Sequence, residues 1–418
     1  MQGRGEGLPR PRRSGTKDAR TNEVPMQLSH RITHLLDGGS DGWEVFNRAR
    51  AMIASGTPVT ELTIGEHDIR TAPAILDAMH RAAKAGHTGY ASVPGTPALR
   101  DTIAARVTDR TGVPTTRDNI LVTTGGQAAL FAAHMAVLDP GDTALFVDPY
   151  YATYPGTLRA AGAVARAIPT LSRHGFQPQT DALAAAAPGA RSLLVNTPNN
   201  PTGAVYSAAT IDAICDTCRN HDLWLISDEV YYTQVWDGTH ITPRARPGMA
   251  DRTLVVGSMS KSHAMTGSRV GWIVGPPDVI SHLIDLSTDT TYGVPGYIQD
   301  AALFALNEGR ALEEEIAAPF RRRRALTEAA LAGQNAVRLI PAEGAMYVML
   351  DIRATGLSGE EFAHALLDTH QIAVMPGESF GQSAAGHLRV AMTVDDASYE
   401  AALRTLVAFA ADRAHASA

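Results

Sequence analysis

Cysteine is almost missing from this chain: Cys215 and Cys218 are the two in 418 residues, too few for a disulfide framework. Lysine is nearly as scarce. It occurs only at Lys17, Lys84 and Lys261, three of 36 basic residues. No apolar run approaches the roughly 20 residues that a membrane helix needs. A basic excess is lacking too, since 36 Lys plus Arg stand against 43 Asp plus Glu, for a net charge of −7. That argues against a nucleic-acid binder, whose surface carries positive charge. These absences exclude membrane and nucleic acid as expected partners. What is present in quantity is ordinary for a globular enzyme: 44% hydrophobic and 19% charged residues, enough for a large core. At roughly 150 residues per domain the length suggests two to three domains.

The lysine shortage has a chemical reading. Arginine cannot be deprotonated and cannot attack a carbonyl. A lysine kept in an arginine-biased chain is either a chance survivor, a reading open for Lys17 and Lys84, or a place that needs a primary amine, and for Lys261 the local sequence decides for the amine.

Residues 1–25 are polar, Gly/Pro-rich and basic, with no periodic apolar face, and read as a disordered tail. Arg12-Arg13 is followed by Ser-Gly-Thr rather than an apolar stretch, so no twin-arginine signal forms and the expected location is cytoplasmic. From Leu62 onward, β-type runs alternate with Ala-rich helical patterns. LLVNTP (193–198), LWLISDEVY (223–231), TLVVGSMSKS (253–262) and GWIVG (271–275) are the clearest strands, with helices near 207–221 and 277–287. Such alternation predicts an α/β domain with a mostly parallel sheet covered on both faces. From about residue 310 the pattern changes. A long charged helix leads into AMYVMLDI, a helix near 358–370, IAVMPG, HLRVAMT and a last Ala-rich helix. This predicts a smaller α+β domain, with the break in the long helix near 305–325.

Asn200, Asp228, Ser258 and Lys261 all follow apolar strands, where open α/β sheets bind ligands. In SMSKSHAMTGSRVGW (258–272), Lys261 sits between Ser260 and Ser262, with Arg269 eight residues on. The chemistry this suggests is a Schiff-base lysine, which needs a cofactor carbonyl, and pyridoxal 5'-phosphate supplies one. The rest of the chain meets the needs of that cofactor. Asp228 is an anion for the ring nitrogen. Asn200 and Tyr231 are donors for the phenolic oxygen. Gly125, Gly126 and Gln127 open an amphipathic helix, an N-terminus suited to phosphate. Ser258 and Arg269 add hydroxyl and charged contacts, and Tyr151 in DPYYATY a ring for stacking. Arg389 in AGHLRVAMT is a fork for a substrate carboxylate.

In their order and context these segments, over about residues 28–410, resemble the class I/II aminotransferases, the fold-type I pyridoxal-phosphate enzymes. The resemblance implies a large domain with a seven-stranded type of sheet plus the small α+β domain. It implies an N-terminal part of the small domain over 26–75, a large cofactor-binding domain over 76–310 and the C-terminal part of the small domain over 311–418. It adds Gly65 in LTIGEHD as the turn beside the substrate carboxylate, with Asn200, and Trp43 as a pocket aromatic. His67 stands where relatives usually have Pro, and Ser268 where many have Trp. It adds Ser260 to the cofactor contacts, and Tyr90 as the tyrosine that reaches the phosphate of a neighbouring subunit in a homodimer. The implied activity is ping-pong transfer of an amino group from an L-amino acid to a 2-oxo acid, pyruvate or 2-oxoglutarate. Lys261, Asp228 and Tyr231 are then the catalytic residues, and no metal is implied. SKSHAMTG, the arginine run 321–324, DIRATGLS and SAAGHLRV resemble the arginine–pyruvate transaminase subgroup. For a basic donor, Glu66 and Asp68 are the nearest acids to the Gly65 turn.

Lyase, oxidase or cyclase chemistry on the same cofactor remains an alternative, because these residues select the cofactor and not the fate of the carbanion. A cofactor-sensing regulator is a remote one, because residues 1–25 are too short for a DNA-binding domain. Other features read as structural: Cys215 and Cys218 as helix packing, Arg321 to Arg324 as ion pairs of a solvated or hinge helix, and His263 as packing or an active-site neighbour.

Overall fold

The computed structural model describes residues 26–36 and 42–417. The tail expected over 1–25, with Lys17, lies outside the described residues. The strands are β1 (Thr60–Leu62), β2 (Ile120–Thr123), β3 (Thr143–Asp148), β4 (Val164–Pro169), β5 (Ala190–Asn196), β6 (Trp224–Asp228), β7 (Thr253–Ser258), β8 (Gly271–Val274), β9 (Arg338–Leu339), β10 (Tyr347–Asp351), β11 (Ile372–Pro376) and β12 (His387–Ala391).

The larger sheet has seven strands in the order β2-β8-β7-β6-β5-β3-β4. Val147, Val195, Ile226 and Val256 are buried, because helices cover both faces and a parallel sheet leaves neither to solvent. All neighbours pair parallel except β8, which runs against both β2 and β7. The sheet is therefore mostly parallel, as the pattern predicts, with one reversed strand that the apolar run GWIV could not reveal. Register sets Asn196 beside Asp228 and Asp228 beside Val256. The carboxyl ends of β5, β6 and β7 thus finish in line, and polar residues collect there.

The smaller sheet has the order β1-β11-β12-β10-β9. Its β1 comes from the N-terminal part of the chain and pairs parallel with β11, Thr60 opposite Ile372. Val348, Leu350, Val374 and Leu388 pack with Phe362, Leu366 and Phe409 in its core. The helix Arg310–Leu331 runs unbroken through Pro319. Its arginines form ion pairs, as expected: Arg321 with Glu314, Arg322 with Asp396, Arg323 with Asp68 and Asp396, and Arg324 with Glu328.

Cys215 and Cys218 lie on the helix Ala208–Asn220 and are fully buried. Burial pushes their thiols up to about 11 and about 12, which leaves almost no reactive thiolate at neutral pH. They fill space. His263 is likewise buried, with Nδ1 2.8 Å from Ser262 Oγ, and it does not line the site below. Of its two readings, the structure supports packing.

Candidate active site

A cleft of about 470 Å³ opens at the carboxyl ends of β5, β6 and β7. One end is built by the turn after β2. Gly125 has φ +85°, and a Cβ there would lie 2.5 Å from Arg269 Nη2. Only glycine lets the guanidinium approach the start of the helix Gly126–Val137 this closely. Arg269 itself has φ +52° and donates from Nη1 to Thr266 O at 3.0 Å. Ser258 Oγ accepts from Ser260 N at 3.1 Å. The helix N-terminus, an arginine and hydroxyls thus converge as they do around phosphates. The Gln127 side chain turns aside, donating to Thr157 Oγ1 at 2.7 Å and accepting from Thr153 Oγ1 at 3.1 Å. What Gln127 presents to this end is its backbone, in the first helical turn.

In the middle of the cleft, Asp228 ends β6 and is 4% exposed. Burial pushes its carboxyl up to about 6. Tyr154 Oη donates to Oδ2 at 2.7 Å and Val230 N to Oδ1 at 3.3 Å, which partly offset that cost. Lys261 sits in the short helix Met259–Ser262, and its Nζ donates to Gly65 O at 2.5 Å. Burial pulls its amine below the usual lysine range, which favours the nucleophilic neutral form. Tyr231 Oη lies 3.1 Å from Tyr347 Oη, and Tyr151 forms another part of the wall.

The far end holds Arg389, on β12 and 1% exposed. Its guanidinium lies between two rings, 4.5 Å from Tyr347 and 4.3 Å from Phe380. It donates to Asn200 Oδ1 at 3.1 Å and to Thr63 O, and its Nε has no partner among the described residues. A rigidly held arginine with donors to spare, facing a cleft, has the geometry to receive a carboxylate. Gly65 adjoins it. A Cβ at that position would overlap Tyr347 Oη at 1.7 Å. Trp43 and Glu66 complete the rim.

Of the fifteen residues expected to be catalytic or to hold cofactor or substrate, fourteen line this cleft or, for Gly125, adjoin it through Arg269. Tyr90 does not: it is 91% exposed, with its ring 5.0 Å from that of Tyr292. Asp68, considered for a basic side chain, is taken by Arg323, with contacts of 2.9 and 2.6 Å, and is corrected to a structural acid. Tyr154 and Tyr347 are site residues that sequence reasoning missed. Tyr154 lies in the same DPYYATY segment as Tyr151, while Tyr347 reads only as part of an apolar strand.

The family described as aminotransferase class I and II matches residues 57–406. The chain belongs to this family. It is 40% identical over 388 residues to the arginine–pyruvate transaminase of Pseudomonas aeruginosa, covering 93% of this chain and 99% of the relative. It is 35% identical over 363 residues to the aspartate/prephenate aminotransferase of Thermus thermophilus, covering 85% and 92%. The solved aspartate aminotransferase of Thermus thermophilus with maleate superposes with a TM-score of 0.86 at 33% identity, over 92% of this chain and all of that one.

As a fold-type I aminotransferase, the protein catalyses transfer of an amino group between an amino acid and a 2-oxo acid. Membership implies pyridoxal phosphate as cofactor. No helix among the described residues is long and apolar enough to cross a membrane, and no described cluster of side chains suits a metal ion.

Proposed function

We propose that Lys261, Asp228 and Tyr231 carry the transfer, with the cofactor between the Gly125–Gly126 turn and Asp228 and the substrate carboxylate on Arg389. The observation that supports this most directly is the meeting in one cleft of a half-buried lysine amine, a buried carboxylate and an arginine held between two rings. The residues suit pyridoxal phosphate. Asp228 is a buried anion without a cationic hydrogen-bond partner, as a protonated ring nitrogen requires, and the helix start with Arg269, Ser258 and Ser260 suits its phosphate. Bound there, the group would supply a carbonyl that condenses with amines and a ring that draws electrons from the substrate Cα.

The chain does the rest. The Lys261 amine accepts the proton from the substrate Cα and later returns one, acting as general base and then acid. Asp228, ionised, would keep the nitrogen of a bound cofactor ring protonated. With the cofactor bound, Tyr231 and Asn200 would hold its phenolic oxygen and Tyr151 would cover one ring face. Arg389, with Asn200 and the Gly65 turn, orients the carboxylate so that the α-proton faces Lys261. Trp43 closes the pocket. A homodimer in which the partner's Tyr90 reaches the phosphate accounts for a large aromatic ring left 91% exposed on one chain.

For the donor, similarity to the arginine–pyruvate transaminase and a carboxylate at the rim, Glu66, support arginine with pyruvate as acceptor. Initial rates with arginine and pyruvate should give the parallel double-reciprocal lines of ping-pong kinetics. Glu66→Gln should lower kcat/KM for arginine more than for alanine. No keto acid from arginine, in a protein that transaminates aspartate or alanine, would overturn the donor and leave the reaction.

A further inference from the structure

The carbonyl of Lys261 is held as well as its amine, and by two side chains. His67 Nε2 lies 3.0 Å from Lys261 O, and Gln234 Nε2 donates to the same oxygen at 3.0 Å. Both side chains are almost wholly buried, at 4% and 0% exposure. The carbonyl is an acceptor only, so His67 must be the donor and carries its proton on Nε2. Its Nδ1 has no partner among the described residues. Burial, helped by the Lys261 charge, pulls the imidazole down to about 3, so it is neutral at any working pH.

The segment that supplies His67 leaves the small sheet at the end of β1 and crosses to the large one. It holds Lys261 at two points: Gly65 O accepts from Nζ at 2.5 Å, and His67 holds the backbone. It is anchored in turn to the helix Arg310–Leu331. The His67 ring meets the Phe320 ring edge-on at 5.4 Å, and the next residue, Asp68, pairs with Arg323. A proline at position 67 would have no side-chain donor for this contact.

We propose that His67 is a positioning residue for Lys261, tying the lysine backbone to the small domain so that the amine is held at a fixed distance from the Gly65 turn. The inference rests on Lys261 as the reacting amine, but its readouts separate the two. His67 touches neither the Arg389 end nor the phosphate end, so its loss acts on the proton-transfer step and not on substrate capture.

The lysine shortage makes the test clean. In the full-length cofactor-free chain, an amine-selective reagent followed by peptide mapping reports Lys261 against exposed Lys84 as internal reference. His67→Leu keeps apolar bulk against Phe320 and removes the donor. His67→Gln restores a neutral donor of similar reach. In His67→Leu the ratio of Lys261 to Lys84 labelling should rise several-fold, because the amine is no longer pinned, and in the holoenzyme kcat should fall about fivefold, the scale of one lost hydrogen bond, with KM for the amino acid within about twofold. His67→Gln should return both towards the parent values. An unchanged labelling ratio in His67→Leu, or a His67→Gln variant as impaired as His67→Leu, would overturn the proposal and leave the ring a packing element. A parent protein whose Lys261→Ala variant still turns over would sink the lysine assignment instead, whatever His67 does.

Discussion

Asp228 works against the stability of the chain that carries it. A carboxylate with a folded-state value of about 6, against about 3.9 when unfolded, binds its proton more tightly in the native state. Between those values the native form takes up protons, so the group's destabilising effect is absent at low pH, grows from about pH 4 to pH 6, and then stays at roughly 3 kcal/mol at most. Asp228→Asn should therefore raise the melting temperature of the cofactor-free protein at pH 7. The gain should shrink as the pH falls towards 4, while turnover falls at least ~10²-fold. Equal melting temperatures at pH 7 would show that the carboxylate is better solvated than its burial suggests. Tyr154 holds the same group by Oη, at 2.7 Å from Oδ2. Tyr154→Phe should weaken cofactor retention about tenfold, the cost of one hydrogen bond to a charged group, with KM for the amino acid nearly unchanged; equilibrium dialysis measures it. At Arg389 the geometry of the fork matters more than its charge. Arg389→Lys should raise KM for every amino and keto acid alike, and an effect on one substrate alone would make it a side-chain reader.

The elements that carry these residues were legible to different degrees. Strands β5, β6 and β7 and the helix Ala208–Asn220 were plain in the sequence, because burial on both faces writes continuous apolar runs and a helix writes its period. Strand direction is not legible in an apolar run, so GWIVG shows a strand but not that β8 runs against its neighbours. Tyr154 and Tyr347 escaped because an aromatic ring in an apolar segment looks the same whether it packs or hydrogen-bonds; only the position of its partner distinguishes the two. Asp68 looked like a free acid beside the Gly65 turn, since nothing local says that Arg323, 255 positions later, will claim it. That pairing predicts a measurable loss. Arg323 is 3% exposed and bonds Asp68, Asp396 and Met392 O. Arg323→Met should cost about 2 kcal/mol, less than a fully buried pair because both acids reach solvent. It should also lower kcat through the loosened 65–68 segment. Denaturant unfolding and steady-state rates check the two parts separately.

At the scale of the whole molecule, the proposal that a second copy completes the site makes its own prediction. Tyr90→Phe and Lys261→Ala chains should each be impaired alone, the first in cofactor retention and the second in turnover. Refolded together, they should regain activity, because one of the two sites in a mixed dimer then has both residues. Mixtures no more active than their parts would refute the shared site. The small sheet also has a consequence in time. Its strand β1 pairs with β11, whose residues follow roughly 310 positions later, about 15–60 s of synthesis at ~5–20 residues per second. Until then the segment carrying Gly65 and His67 has no sheet to anchor it, although the large sheet and Lys261 have already left the ribosome. A nascent chain thus displays its amine before it owns the parts that restrain it, and Arg389, the fork proposed for the substrate carboxylate, arrives only with the last stretch of translation.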